Sequence, residues 1–162
     1  MDEAVVFKRA GIRFNHRFVW RNVDLDVKSG EFVAILGPNG SGKSTLLKAM
    51  LGLLPLTEGT VEVFGKPVRR GNDEVGYLPQ RRNFEPDLRI RAVDLVRLGL
   101  DGARWGIPLP SRALHERVEE MVGLVGAAAY AERPIGELSG GEQQRILIAQ
   151  ALVTGARMLA LD

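Results

Sequence analysis

The stretch "GPNGSGKST" at residues 37–45 constrains the fold of this 162-residue chain more than any other feature. It follows the nearly continuous apolar run "FVAIL" and precedes "LLKAML", in which apolar residues recur at helical spacing. A continuous apolar run is typical of a strand buried on both faces of a parallel sheet. The sequence therefore predicts a strand at residues 32–36, then a glycine-rich loop and then a helix.

The same stretch fits the pattern of a glycine, four residues, a second glycine, a lysine and a serine or threonine. Glycines let the backbone approach a phosphate closely, and amide N–H groups at a helix N-terminus attract anions. We expect Lys43 to reach the β- and γ-phosphates of a nucleotide and Ser44 to bind Mg²⁺. The alternative is a glycine-rich turn that merely precedes a helix. The candidate nucleotide-binding residues here are Gly37, Pro38, Asn39, Gly40, Ser41, Gly42, Lys43, Ser44 and Thr45.

Short strands are predicted on both sides of this loop. "AVVFKRAGIRF" and "RNVDLDVKSG" precede it, and "GTVEVFG" and "EVGYLPQ" follow it. Helical patterns around residues 93–98 and from Ser111 to about Ala129, with a loop at "DGARWGIPLP" between them, indicate a helical insertion over residues 81–134. A further helix after "LSGGE" and a final apolar strand, "MLAL", complete the pattern.

The segment "LSGGEQQR" at residues 138–145 is the second feature that points to a ligand. Ser139 followed three residues later by Glu142 predicts a capping box and therefore a helix start. Gly140 and Gly141 would occupy the first turn, where each is up to about 1 kcal/mol worse than alanine. Two glycines there are explained if a ligand touches the backbone. The alternative is a helix cap with no further role.

Together these motifs resemble the nucleotide-binding subunits of ATP-binding-cassette (ABC) transporters. "GPNGSGKST" resembles their Walker A motif, "LSGGEQ" their signature motif and "MLALD" their Walker B motif. The resemblance implies an α/β fold, namely a P-loop NTPase core with a parallel sheet, an antiparallel N-terminal β-subdomain and an inserted helical subdomain. It divides the single domain into a β-subdomain and core at residues 1–80, the helical subdomain at 81–134, and the signature helix and Walker B strand at 135–162.

The resemblance also assigns roles to residues outside the first two motifs. Asp162 would hold the Mg²⁺ of bound ATP through a water molecule, and Gln80 in "YLPQ" would sense Mg²⁺ and the attacking water. Gln80 is alternatively a surface glutamine after a proline. Phe14 lies where the family stacks an aromatic ring on adenine, but Phe18 and Trp20 are rivals, and a core aromatic is as good an explanation.

The same family pairs two copies head to tail, so that residues 139–142 of one copy meet the ATP held by the other. Expected partners are this second nucleotide-binding subunit, an integral membrane permease subunit and an extracellular substrate-binding protein, with the chain peripheral to the cytoplasmic face of the cell membrane. A formal net charge of +2 gives no electrostatic case for nucleic-acid binding. Arg81, Arg82, Arg89 and Arg91 form either a solvated face or a surface for the permease. His16 and His115 are expected to be surface residues.

The family continues beyond Walker B with a glutamate that positions the attacking water, and with a strand between the Walker A and Walker B strands. The 162 residues contain neither, so we expect a fragment that is unstable and inactive alone. "VGYLPQRRNF" and "RAVDLVRLGL" resemble importers of metal ions or metal chelates. The alternatives are a soluble ABC ATPase acting on ribosomes or DNA, and a nucleotide binder that does not hydrolyse ATP.

Overall fold

The computed structural model describes residues 3–72, 74–80, 84–101 and 112–162. Within them the chain forms two compact units, Met1–Asn72 and Asp73–Asp162, and each is described by itself. Asp101, the first residue of the predicted loop at 101–110, is helical, whereas residues 102–110, the predicted helix start at Ser111, and Arg81 and Arg82 lie outside the described residues.

The first unit is built on an antiparallel sheet with the strand order β2-β1-β3-β4. Its strands are β1 (Glu3–Phe14), β2 (Arg17–Lys28), β3 (Glu58–Val63) and β4 (Lys66–Pro67). Strand β1 pairs on both edges, its residues 4–7 are all buried, and it covers the strand predicted at "AVVFKRAGIRF". Phe7, Ile12 and Val63 are among the largest fully buried side chains. The antiparallel N-terminal β-subdomain is therefore confirmed.

Helix α1 (Lys43–Met50) follows the glycine-rich loop in the same unit, as predicted. The predicted strand at residues 32–36 is wrong, because residues 31–38 adopt no regular secondary structure. Phe32 is 92% exposed and Leu36 is 90% exposed. A strand buried on both faces needs a hydrogen-bonding neighbour and packing on each face. No described strand pairs with this segment, so its apolar side chains lie in solvent.

The second unit contains a two-stranded parallel sheet and a group of helices. Strands β5 (Val75–Leu78) and β6 (Met158–Leu161) pair in parallel, which confirms both predicted strands. The helices are α2 (Ala92–Asp101), α3 (Arg112–Leu124) and α4 (Gly140–Val153), with short 3₁₀ helices at Ala128–Tyr130 and Ile135–Glu137. Their shared core includes Val96, Val118, Ile135, Ile146 and Val153.

Helix α3 ends at Leu124, earlier than the predicted end near Ala129. Gly126 adopts a left-handed conformation with φ of 67°, and its N–H donates to the carbonyl of Gly123 at 3.0 Å. The N–H of Ala127 donates to the carbonyl of Val122 at 2.9 Å. These two bonds form a Schellman motif, which stops a helix at a glycine and satisfies its last carbonyls.

Candidate functional site

The glycine-rich loop turns sharply into α1. Gly40 and Gly42 have φ angles of 81° and 95°, which L side chains rarely adopt. Gly42 is the residue that caps α1, and the first turn of this helix contains no acidic residue. The positive end of the helix dipole is therefore not neutralised by the helix itself and is suited to an anion.

Lys43 is folded back over this loop. Its ammonium nitrogen Nζ donates hydrogen bonds to the carbonyl oxygens of Gly37 and Pro38, each at 2.9 Å. These bonds hold a positive charge beside the backbone that would surround a phosphate. A phosphate is a stronger acceptor for an ammonium group than a neutral carbonyl, so the charge is available to it.

Close packing also explains two of the loop glycines. A Cβ at Gly42 would lie 2.6 Å from Cγ1 of Val19 and 2.8 Å from Cδ1 of Trp20. A Cβ at Gly37 would lie 3.0 Å from Oγ of Ser41. The loop therefore rests against β2 at one end and folds on itself at the other, which keeps its backbone compact enough to surround a phosphate.

The three aromatic candidates for stacking on adenine differ in their surroundings. Phe14 ends β1 and is 48% exposed. Phe18 lies between two guanidinium groups, with the Cζ atoms of Arg13 and Arg21 at 5.7 and 4.8 Å from its ring centroid. Trp20 packs edge-on against Phe7. Phe14 is thus the most exposed of the three aromatic side chains, and its stacking on adenine stays a prediction.

In the second unit, Gln80 and Asp162 follow two adjacent parallel strands. Leu78 pairs with Leu161, and the N–H of Asp162 donates to the carbonyl of Leu78 at 3.0 Å. Both polar residues therefore lie at the carboxyl edge of this sheet, where ligands bind in open α/β folds. Gln80 is exposed there.

Tyr77 is a neighbour of Asp162 that the sequence analysis missed. Its hydroxyl donates to Oδ2 of Asp162 at 3.4 Å. Partial burial, and then the nearby Asp162 carboxylate, raise the pKa of Tyr77 above its ordinary value. The tyrosine therefore remains a hydrogen-bond donor to the carboxylate at neutral pH. Only the parallel pairing of β5 with β6, which places the strand of Tyr77 beside that of Asp162, could have identified this tyrosine.

The predicted capping box at the start of α4 is confirmed. The backbone N–H and the hydroxyl of Ser139 both donate to Oε2 of Glu142, at 2.8 and 2.7 Å. The N–H of Glu142 donates back to the Ser139 hydroxyl at 3.4 Å. Hydrogen bonds from the Ser139 hydroxyl and backbone lower the pKa of Glu142, with Arg133 and Arg145 adding smaller contributions.

Gly140 and Gly141 have no local reason to be glycine. Among the described residues, a Cβ at either position would meet no atom within 4 Å outside the backbone of its own helix, and neither glycine has a positive φ. Alanine would therefore fit and would favour the helix by up to about 1 kcal/mol at each position. Nothing packed against them in the described structure explains their small size.

Residues 37–45 and Phe14 lie in the unit Met1–Asn72, whereas Gln80, Asp162 and residues 139–142 lie in the unit Asp73–Asp162. Within the described parts of the chain, no cluster of three or more histidine, cysteine, aspartate or glutamate side chains could hold a metal ion. Ser44 in the first unit, and Gln80 and Asp162 in the second, each carry an oxygen of the hard kind that Mg²⁺ prefers as a ligand. None of the described helices is long and apolar enough to cross a membrane.

The sequence model described as "ABC transporter" matches residues 20–162. The zinc transport system ATP-binding protein TroB of Treponema pallidum is 41% identical over 151 residues, which cover 93% of this chain and 57% of that protein. The manganese transport system ATP-binding protein MntB of Bacillus subtilis is 35% identical, with 93% and 60% covered. The chain thus spans somewhat more than half the length of these relatives.

The solved structures similar to this chain are also parts of ABC transporters. A putative metal-chelate type ABC transporter in an inward-facing conformation superposes with a TM-score of 0.83 at 26% identity, covering 100% of this chain and 60% of that one. The protein cbiO1 of Clostridium perfringens, part of the ABC transporter complex cbiONQ, gives a TM-score of 0.85 at 25% identity, with 100% and 66% covered. The α/β P-loop fold is therefore shown despite the unpaired segment at residues 31–38.

Proposed function

Because the chain belongs to the ABC transporter family, we propose that it binds and hydrolyses ATP to power transport of a substrate across a membrane. The observation that carries this proposal is the Lys43 ammonium held over the carbonyls of Gly37 and Pro38. The charge lies in a loop whose left-handed glycines lead into the N-terminus of α1. This arrangement suits the phosphates of ATP, with Phe14 as the ring that stacks on adenine.

Mg²⁺ would supply charge neutralisation of the β- and γ-phosphates, and we assign Ser44, Gln80 and Asp162 as the residues that hold or sense it. Lys43 neutralises the same phosphates from within the chain. In this class of reaction catalysis consists of positioning and electrostatic stabilisation. Gln80 and Asp162 therefore act by orienting oxygen atoms at one edge of the sheet, and Lys43 by stabilising the charge on the transferred phosphoryl group.

The open first turn of α4 supports a second copy as a partner. Since no described atom outside the helix's own backbone would lie within 4 Å of a Cβ at Gly140 or Gly141, the backbone there can accept a phosphate from outside the chain. We assign residues 139–142 to the ATP held by a head-to-tail partner. Closure of the two copies around ATP would then drive the conformational change of a permease.

The proposals for the remaining partners and for the substrate are based on the names of related proteins. TroB and MntB are named as zinc and manganese transport proteins, and cbiO1 is part of a transporter complex. We therefore propose a divalent metal ion or its chelate as the substrate and an integral membrane permease as the partner. The proposed location is the cytoplasmic face of the membrane, and an extracellular protein would deliver the substrate.

The test is reconstitution of the complete gene product with its permease in lipid vesicles. ATP-dependent uptake of Zn²⁺ or Mn²⁺ that disappears in the Lys43→Ala variant is the expected result. Co-sedimentation with ribosomes and no association with a permease would overturn the proposal in favour of a soluble ABC ATPase. ATP binding without turnover in the reconstituted wild type would indicate a nucleotide binder that does not hydrolyse ATP.

A further inference from the structure

Residues 84–90 run alongside the residues that lead into the signature motif. The N–H of Ile135 donates to the carbonyl of Ile90 at 2.8 Å, and the N–H of Gly136 donates to the carbonyl of Leu88 at 3.3 Å. Backbone hydrogen bonds of this kind fix the relative position of two segments without regard to their side chains. Residues 135–138 are therefore held by residues 84–90, just before Ser139.

Gly136 brings these two segments into direct backbone contact. A Cβ at this position would lie 2.5 Å from the carbonyl oxygen of Glu85 and 2.6 Å from that of Pro86. Any side chain at Gly136 would force the segments apart, because backbone atoms cannot move away as a flexible side chain can. The close approach of residues 84–90 to residues 135–138 therefore requires a glycine at position 136.

Gln143 on α4 also stabilises the contact between residues 84–90 and 135–138. It is the only buried polar or charged side chain among the described residues, with 4% of its surface exposed. Its Nε2 donates to the carbonyl oxygens of Ile135 and Leu138, each at 3.0 Å. Its Oε1 accepts a longer hydrogen bond, 3.5 Å, from the N–H of Phe84. One side chain on α4 therefore touches both segments.

The chemistry of these contacts requires a carboxamide. Both Nε2 hydrogens are used by carbonyl oxygens, and the single Oε1 is used by an N–H. Glutamate has no donors at neutral pH, and methionine, although similar in size, has neither donors nor a strong acceptor. Either substitution would take the Gln143 donor from the buried carbonyl of Leu138 and would leave that of Ile135 with only the N–H of Leu138 at 3.3 Å, and a folded protein disfavours such losses.

We propose that Gln143 is a positioning residue that fixes residues 135–139 against residues 84–90. The turn at residues 139–141 then takes its position from residues 84–90, so a displacement of those residues reaches the backbone that would contact a partner's nucleotide. This inference rests on the proposed function. It adds a specific physical connection, made by Gln143 and Gly136, between two parts of the ATP site.

The experiment uses the transporter assembled with its permease and compares wild type with Gln143→Met and Gln143→Asn. Gln143→Met removes all three hydrogen bonds at nearly constant volume, and Gln143→Asn keeps the carboxamide on a shorter side chain. We expect kcat for ATP to fall about tenfold or more in Gln143→Met and less in Gln143→Asn, with KM within about twofold in both. Lys43 and its loop are untouched, which is why KM is preserved.

Hydrogen exchange supplies a second measurement. Amides of residues 84–90 and 135–139 should exchange faster in Gln143→Met, while α1 remains as in wild type. Gln150→Met, the same substitution two turns further along α4, is the matched control and should leave kcat and the exchange of both segments unchanged. If Gln143→Met does not assemble, Gly136→Ala tests the same contact from the opposite segment and should show the same loss of kcat.

The possible results are distinguishable. Wild-type kcat in Gln143→Met, even with faster exchange, would overturn the inference and leave Gln143 a purely structural residue. A parallel rise in KM and fall in kcat would also overturn it, because the phosphate loop would then be affected. Absence of turnover in the wild-type transporter would overturn the proposed function first, and this inference with it.

Discussion

The backbone N–H of Asp162 donates a hydrogen bond to the carbonyl oxygen of Leu78 across 3.0 Å. This bond continues the parallel pairing of β5 and β6 by one residue beyond Leu161. It places Asp162 at the carboxyl edge of this sheet, where Gln80 follows the end of β5, although the two residues are 82 positions apart in the sequence. Two residues chosen from separate motifs therefore share one edge because their strands are neighbours.

Tyr77→Phe should weaken the response to Mg²⁺ without unfolding the chain. The substitution removes the hydroxyl that donates to Oδ2 of Asp162 and leaves the ring in place. Losing one such hydrogen bond should raise the Mg²⁺ concentration for half-maximal ATP turnover about two- to tenfold. A Mg²⁺ titration of the reconstituted transporter measures this.

Tyr130→Phe is the matched control for that experiment. The Tyr130 hydroxyl is buried without a hydrogen-bond partner, so its removal should leave the Mg²⁺ titration unchanged and should not lower stability. Equal shifts of the Mg²⁺ titration in both variants would contradict a specific role for Tyr77.

Lys43→Ala should reduce ATP affinity about 10- to 100-fold, because it removes a charged donor from the phosphates while the loop glycines remain. Isothermal titration calorimetry of the assembled protein measures the loss. Lys48→Ala, in the last turn of the same helix, is the control and should bind ATP as wild type does. Unchanged affinity in Lys43→Ala would show that residues 37–45 are an ordinary turn.

Gly141→Asp should abolish ATP turnover while ATP binding by a single copy survives. A Cβ at this position would meet no described atom within 4 Å outside the backbone of its own helix, so the fold has room for a side chain there. The added carboxylate would instead repel the nucleotide of a partner copy. Dimerisation with ATP, followed by size-exclusion chromatography and light scattering, is the direct measurement. Loss of ATP binding by the isolated copy would place residues 139–141 at their own chain's nucleotide.

The sequence predicted most elements because local signals determine them. The capping box of Ser139 and Glu142 starts α4, a continuous apolar run marks β1, and alternating valines mark β3. The strand at residues 32–36 was wrongly predicted because an apolar run reports burial only if a neighbour is available. Whether a neighbouring strand is present depends on the whole sheet, and a local sequence pattern carries no information about it.

The residues of the candidate site also fall into those that the sequence predicts and those that it does not. Lys43 and Ser139 belong to motifs whose spacing carries the chemistry, so they could be predicted from the sequence. Tyr77 and Gln143 could not, because their roles depend on contacts with residues far away in the chain. Gln143 lies among Glu142, Gln144 and Arg145, and nothing in that polar run marks it as the buried member.

Acid should weaken the start of α4 through Glu142. Its pKa in the folded chain lies below the ordinary value of 4.5, so its contribution to stability is fully present above about pH 4.5. That contribution is lost as the pH falls through the lowered folded value. The difference in urea midpoint between wild type and Glu142→Gln should therefore be largest at neutral pH and should shrink in acid. In a Ser139→Ala background the same difference should already be smaller at neutral pH, and an unchanged difference there would contradict the assignment.

Replacing the apolar side chains of residues 31–38 should make the 162-residue chain less prone to associate. Phe32 and Leu36 are almost fully exposed, and Val33 and Ile35 are partly exposed beside them. A contiguous exposed apolar patch with free backbone groups favours association between copies. Phe32→Ser with Leu36→Ser should lower both light scattering and the fluorescence of a bound hydrophobic dye. Leu124→Ser, which changes an exposed leucine at the end of α3, is the control and should have little effect. An equal decrease in the control would show that general surface polarity, and not this segment, governs association.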